Sequence, residues 1–89
     1  MNVSNITNNN GNKVPNQFVI SDNGAKYFQS YNAIIVKWSK GRIELDSYYW
    51  NYSKTTSKYR NIFLGETTKE TQKKIDSGEY LLTDLNGGH

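Results

Sequence analysis

The 89-residue chain has no cysteine, one proline, one methionine and one histidine, the last at its C-terminus. Without cysteine, neither disulfides nor thiolate metal sites can reinforce the fold. That absence does not select a cellular compartment. Without an internal histidine, the side chain most often used for proton transfer near neutral pH is also missing. No apolar run approaches the ~20 residues that span a bilayer. Residues 1–12 lack the charged-then-apolar order of a secretion signal. The expected location is therefore cytoplasmic. Without a secretory route, the asparagine sequons at Asn2, Asn5 and Asn51 read as coincidences of an Asn/Ser/Thr-rich chain.

What the chain does have is aromatic: seven tyrosines, two tryptophans and three phenylalanines. It carries a net charge of +3 and a pI of about 9.2. This permits attraction to phosphate without requiring it. The length suits one domain, and a domain this small buries only about 60% of its unfolded surface. Residues 1–16, MNVSNITNNNGNKVPN, are dominated by asparagine and hold few apolar groups. They are expected to form a flexible tail, because so little apolar area cannot offset the entropy of ordering. Residues 17–86 form the expected domain, and 87–89 (Gly-Gly-His) resemble the remnant of a purification tag.

Within that domain, QFVIS at 17–21 is β-prone and is closed by Asp22-Asn23-Gly24, a strong turn signal. A second strand is expected over 26–38. Phe28, Ile34, Val36 and Trp38 alternate there with Tyr27, Tyr31, Ile35 and Lys37. Ser39-Lys40-Gly41 reads as a hairpin loop in which Gly41 takes positive φ. A third strand follows from Arg42, with Ile43 and Leu45 inward and Arg42, Glu44 and Asp46 outward. Ser53, Thr55 or Thr56 can cap a helix whose apolar face is Tyr59, Ile62 and Phe63 and whose stop is Gly65. Thr67 and Glu70 form a capping box that opens a second, mostly polar helix ending at Gly78. Residues 79–83 read as a closing strand. The expected class is α+β: a small antiparallel sheet of about three strands plus a C-terminal strand, with two short helices packed on it.

The chemistry excluded is broad. The carboxylates are scattered over turns and polar faces, and no phosphate-cradling glycine loop, Ser-x-x-Lys pair or zinc spacing is present. Glu44 and Asp46 share a strand face and allow a two-carboxylate or Mg²⁺ idea. The simpler reading is polar decoration of a half-exposed strand. The expectation is no catalytic residue, no metal and no cofactor.

Binding is better supported. The stretch 48–65, YYWNYSKTTSKYRNIFLG, places four aromatics directly before a hydroxyl-rich helix start. Strand alternation can bury only about half of Tyr48, Tyr49, Trp50 and Tyr52. The run is then either an interface or an aromatic cluster supporting the helix. Trp38, Tyr59 and Phe63 lie on patterned apolar faces and read as core. The candidate partner-binding residues are Tyr48, Tyr49, Trp50, Tyr52, Lys54, Thr55, Lys58 and Arg60. Tyrosine and tryptophan offer large contact area at low entropic cost. An alternative is a small basic nucleic-acid-binding module. It would use Lys37, Lys40, Arg42, Lys54, Lys58 and Arg60 on phosphates, with tyrosines stacking on bases.

FQSYNAIIVKW, then LDSYYWNYSKTTSKYRNIFLGE and KKIDSGEYLLTDLN, resemble a group of small uncharacterised proteins. These are encoded by bacteriophages and prophages of Gram-positive hosts and carry a YWxYSxTTSxYxxxFL segment. The resemblance spans about 17–86. Within the motif it includes Tyr49, Trp50, Tyr52, Ser53, Thr55, Thr56, Ser57, Tyr59, Arg60, Phe63 and Leu64. It implies a small accessory protein in the cytoplasm of a bacterial host. The small size, the aromatic excess and the lack of catalytic groups favour binding to a host or defence-system protein, or a nucleoprotein complex, in host takeover or as an anti-CRISPR-like inhibitor. Of this, the resemblance carries only the phage origin. It implies no chemistry.

Overall fold

Three two-residue turns organise the sheet. At Asn23-Gly24 and Lys40-Gly41 both central residues take positive φ (50° and 82°, 53° and 75°). That twist matches the flanking strands and closes tight hairpins. The third turn, Tyr31-Asn32, holds a non-glycine residue at φ 55°. It splits the single strand expected over 26–38 into two. The computed structural model describes residues 1–87. Its order is β1 (Asn2–Thr7), β2 (Lys13–Asp22), β3 (Ala25–Ser30), β4 (Ala33–Ser39), β5 (Arg42–Asp46), α1 (Lys54–Leu64), α2 (Thr68–Asp76) and β6 (Tyr80–Thr83).

The strands form one sheet in chain order, antiparallel except for β5 and β6, which are parallel. Parallel neighbours need a crossover, and α1 with α2 supplies it. The class is α+β, as expected, but the sheet has six strands rather than three plus one. The additional strands come from the Tyr31-Asn32 turn and from the N-terminus. Residues 2–7, expected in a flexible tail, pair with β2. Ile6 occupies a register irregularity between Asn5 and Thr7 and is buried in the core. One large apolar residue, placed by a bulge, ties this segment to the fold. Of the expected tag remnant, Gly88 and His89 lie outside the described residues.

Phe28, Ile35, Val36 and Leu45 are fully buried, with Ile6 and Tyr80 nearly so. Phe63 of α1 stacks on Phe28 at 5.9 Å between ring centres. Thr56 at the other end of the helix bonds Ser30 across 3.0 Å. α1 therefore lies along β3, from Ser30 toward Lys26. Ser53 caps it by accepting from the Thr56 amide at 3.1 Å. Gly65, at φ 70°, ends it. The helix buries Thr56 and Arg60 and half-buries Tyr59 and Phe63, while Ile62 stays exposed. Ile62 thus departs from the expected apolar face.

The capping box of Thr67 and Glu70 opens α2 as expected. Lys74 of this mostly polar helix reaches Glu66 at 2.8 Å, and the Tyr80 hydroxyl donates to the same oxygen at 2.8 Å. The Glu66 side chain is nearly buried, and burial pushes its carboxyl up. Hydrogen bonds from Lys74, Thr71 and Tyr80, with the Lys74 charge, outweigh this and hold it below the ordinary range. This cluster fastens α2 to β6. Tyr27, Lys37 and Glu44 lie side by side across β3, β4 and β5. They occupy the opposite face of the sheet from Phe28 and Val36.

Candidate functional site

Asp46 is the anchor. Expected to point outward at the end of β5, its side chain is instead completely buried. One carboxylate oxygen accepts from the Tyr48 and Tyr49 amides at 3.1 and 2.8 Å. The other accepts from the Leu85 amide and the Asn86 side chain, both at 2.9 Å. Burial pushes the Asp46 carboxyl up, but the bonds from Leu85, Tyr49, Asn86 and Tyr48 outweigh it and hold it below the ordinary carboxylate range. Turn formation by an aspartate at the end of a strand is local chemistry. The burial is not local: it comes from the C-terminal segment folding back over the carboxylate. Asn86 also bonds both backbone groups of Ile34, at 2.7 and 2.9 Å. Four amide donors occupy the carboxylate that the two-carboxylate idea paired with Glu44. Among the described residues, no group of three or more metal-ligating side chains is gathered.

From this anchor the chain turns tightly, and the aromatic run fans out. Tyr48 and Tyr49 meet edge to face at 4.7 Å, as do Tyr49 and Tyr52 at 5.1 Å. Tyr49 and Trp50 pack against the core, while Tyr48 is 62% and Tyr52 50% exposed. The run is therefore divided: the inner rings support the fold and the outer rings face solvent. The turn at the end of β3 brings a further ring. Tyr31 is 48% exposed and shares a cleft of about 550 Å³ with Asn32, Tyr49, Tyr52 and Asn86. Its amide donates to the Asn16 carbonyl at 2.7 Å. A bulky side chain held at positive φ costs roughly 1–2 kcal/mol, and such strain gathers at functional sites. Tyr31 and Asn86 were missed in the sequence. Tyr31 fits the alternation of a continuous strand, and only the Tyr-Asn dipeptide hints at a turn. Nothing local in the sequence points to Asn86.

Lys54, Thr55 and Lys58 are exposed on α1; Lys54 lines a shallow depression with Tyr52, and Lys58 lies over the Tyr59 ring at 5.3 Å. Arg60 does not join them. Its guanidinium is fully buried and donates to the Trp50 carbonyl, to Asn61 and to Thr68, the last two at 2.9 Å. It also lies over the Trp50 ring at 5.0 Å. Burial lowers its pKa, with Glu66 opposing. Arg60 is a structural clamp between the aromatic run and the two helices, and neither expected contact role is open to it.

The remaining cations of the nucleic-acid alternative are dispersed. Lys37 lies on the sheet face away from the helices; Lys40 lies in the β4–β5 turn, and Arg42 directly follows that turn. Both positions are remote from Lys54 and Lys58.

Residues 1–79 match a family of unknown function, DUF8033. The chain belongs to that family. The DUF8033 match runs from β1 through α2, so it includes both the Asn-rich hairpin and the aromatic run. No curated protein and no solved structure matches the chain. Among the described residues, no helix is long and apolar enough to cross a membrane.

Proposed function

We propose that the chain is a non-catalytic accessory protein of bacteriophage or prophage origin. In this reading it binds and modulates a bacterial macromolecule, in host takeover or as an anti-CRISPR-like inhibitor of defence. The observation that carries binding is the tyrosine cleft. Tyr31 and Tyr52 expose large rings along a concavity that they line with Tyr49 and Asn86. Its base is held by the buried Asp46–Asn86 network, and Tyr48 exposes a further ring packed edge to face on Tyr49. Rigid aromatic side chains on a preorganised base lose little entropy on contact, which favours binding hot spots. Lys54, which lines a separate shallow depression with Tyr52, and the exposed Thr55 and Lys58 of α1 add polar and positively charged groups, suited to a protein surface that is neutral to acidic. The phage and bacterial-host parts of the proposal rest on the sequence resemblance.

The test is capture from a bacterial lysate by the tagged protein, with and without nuclease, beside the Tyr48→Ala/Tyr52→Ala variant. Both side chains are exposed, so the variant is expected to fold. A protein partner that survives nuclease and is lost with the variant supports the proposal. Capture unaffected by the variant removes the tyrosine cleft as the site. Loss of all capture on nuclease treatment favours nucleic acid, which a steep salt dependence of binding then checks.

A further inference from the structure

A second concavity lies at the other end of β3, where α1 stops. Gly65 turns the chain away there, and the helix leaves Trp38 40% and Ile62 50% exposed. Trp38, read from its alternation as core, is therefore a wall rather than filling. The space it borders is a cleft of about 610 Å³. Ile6, Val19, Ile43 and Phe63, all part of the core or packed on it, line it as well. An apolar base under two exposed apolar walls offers contact to the apolar body of a ligand. The volume falls within the range of small-ligand sites, which are mostly apolar with a few polar groups to fix orientation.

The polar groups here are unequal in kind. Lys26 is the only charged residue in the described lining, and no carboxylate borders the cleft. Lys26 sits directly across from Trp38 in the β3–β4 register, so both side chains rise from the same face. No hydrogen bond or ion pair joins its ammonium to another described residue. Asn5 and Thr7 of β1 supply uncharged polar groups on the opposite rim. An ammonium on a flexible stem beside an indole and a branched apolar wall complements one chemistry: an apolar body ending in a single negative charge.

We infer that this cleft binds an amphipathic monocarboxylate of medium chain length. Its body lies against Trp38, Ile62 and Ile43, and its carboxylate meets Lys26. The site is separate from the tyrosine cleft, at the opposite end of β3, and does not depend on the function proposed for that cleft.

The probe is decanoate, added to the full chain and followed by ¹H–¹⁵N NMR below its micelle-forming concentration. Decyltrimethylammonium serves as a control with the same body and the opposite charge. Saturable shifts centred on the Trp38 indole N–H, Ile62 and Thr7 are expected with decanoate. Lys26→Gln should weaken binding by about tenfold, the effect of one charge-assisted bond at a partly exposed site. Trp38→Ala should abolish it. Lys26 is exposed on its strand, and the rest of the spectrum reports directly whether each variant is folded. Absence of a saturable shift overturns the inference. So does equal binding of the cation, equal affinity of Lys26→Gln, or shifts centred on Tyr31, Tyr48 and Tyr52.

Discussion

At the scale of single residues, one buried polar side chain joins the aromatic run to both helices. Arg60 carries a full charge into the core and bridges the Trp50 carbonyl, Asn61 and Thr68. Its planar fork meets several acceptors at once, which the single compact head of lysine cannot do. Arg60→Lys is therefore expected to destabilise the protein, and Arg60→Ala to cost about 2–4 kcal/mol. Urea denaturation measures both. A loss below about 0.5 kcal/mol for Arg60→Ala, ordinary for a surface site, would return the residue to the binding surface. Gln17 is the counterexample. It is 1% exposed, and neither side-chain amide atom finds a hydrogen-bond partner among the described residues. None of this was legible in the sequence. Arg60 sits on a helix beside Lys58, and its spacing from Thr56 reads as polar-face periodicity. A guanidinium turns inward only because Trp50 and the start of α2 converge on it.

At the scale of elements, the turns and caps were the most legible features. Asn23-Gly24, Lys40-Gly41, Ser53, Gly65 and the Thr67/Glu70 box all act through groups within a few residues of one another. Local chemistry of that kind is written in local sequence. β1 is the opposite case. Its residues, NVSNIT, have too little apolar content to announce a strand, and pairing with β2 creates one. Ile6 is its contribution to the core, and removing a buried isoleucine costs about 2–5 kcal/mol. Deleting residues 1–8 is thus expected to lower Tm by roughly 10–20 °C. An unchanged Tm by circular dichroism would restore the free-tail reading.

At the scale of the whole molecule, two buried carboxylates close the fold over long sequence distances. Asp46 holds the segment at 85–86, and Glu66 holds α2 and β6. Both have pKa values held below the ordinary range in the folded chain. Their stabilisation is complete above the unfolded pKa values, near 4, and is lost as pH falls through the folded ones. In that window the unfolded chain binds more protons than the folded one, so acid favours unfolding. The urea midpoint is expected to hold near neutral pH and to fall below about pH 4. Glu66→Gln should fall less steeply over the same range. A flat midpoint from pH 6 to pH 3 contradicts this account. The sequence by itself determined the α+β class, both helices with the Gly65 stop and the Thr67/Glu70 box, and two of the tight turns. Each of these depends on periodicity or on neighbouring groups, which the order of residues contains. Tertiary structure alone decided which tyrosines face solvent, that Arg60 and Asp46 are interior, and that Tyr31 and Asn86 join the aromatic run. It also decided that Trp38 borders a cleft. Those outcomes depend on which elements meet in space, and Asn86 meets Ile34 across fifty-two residues of chain.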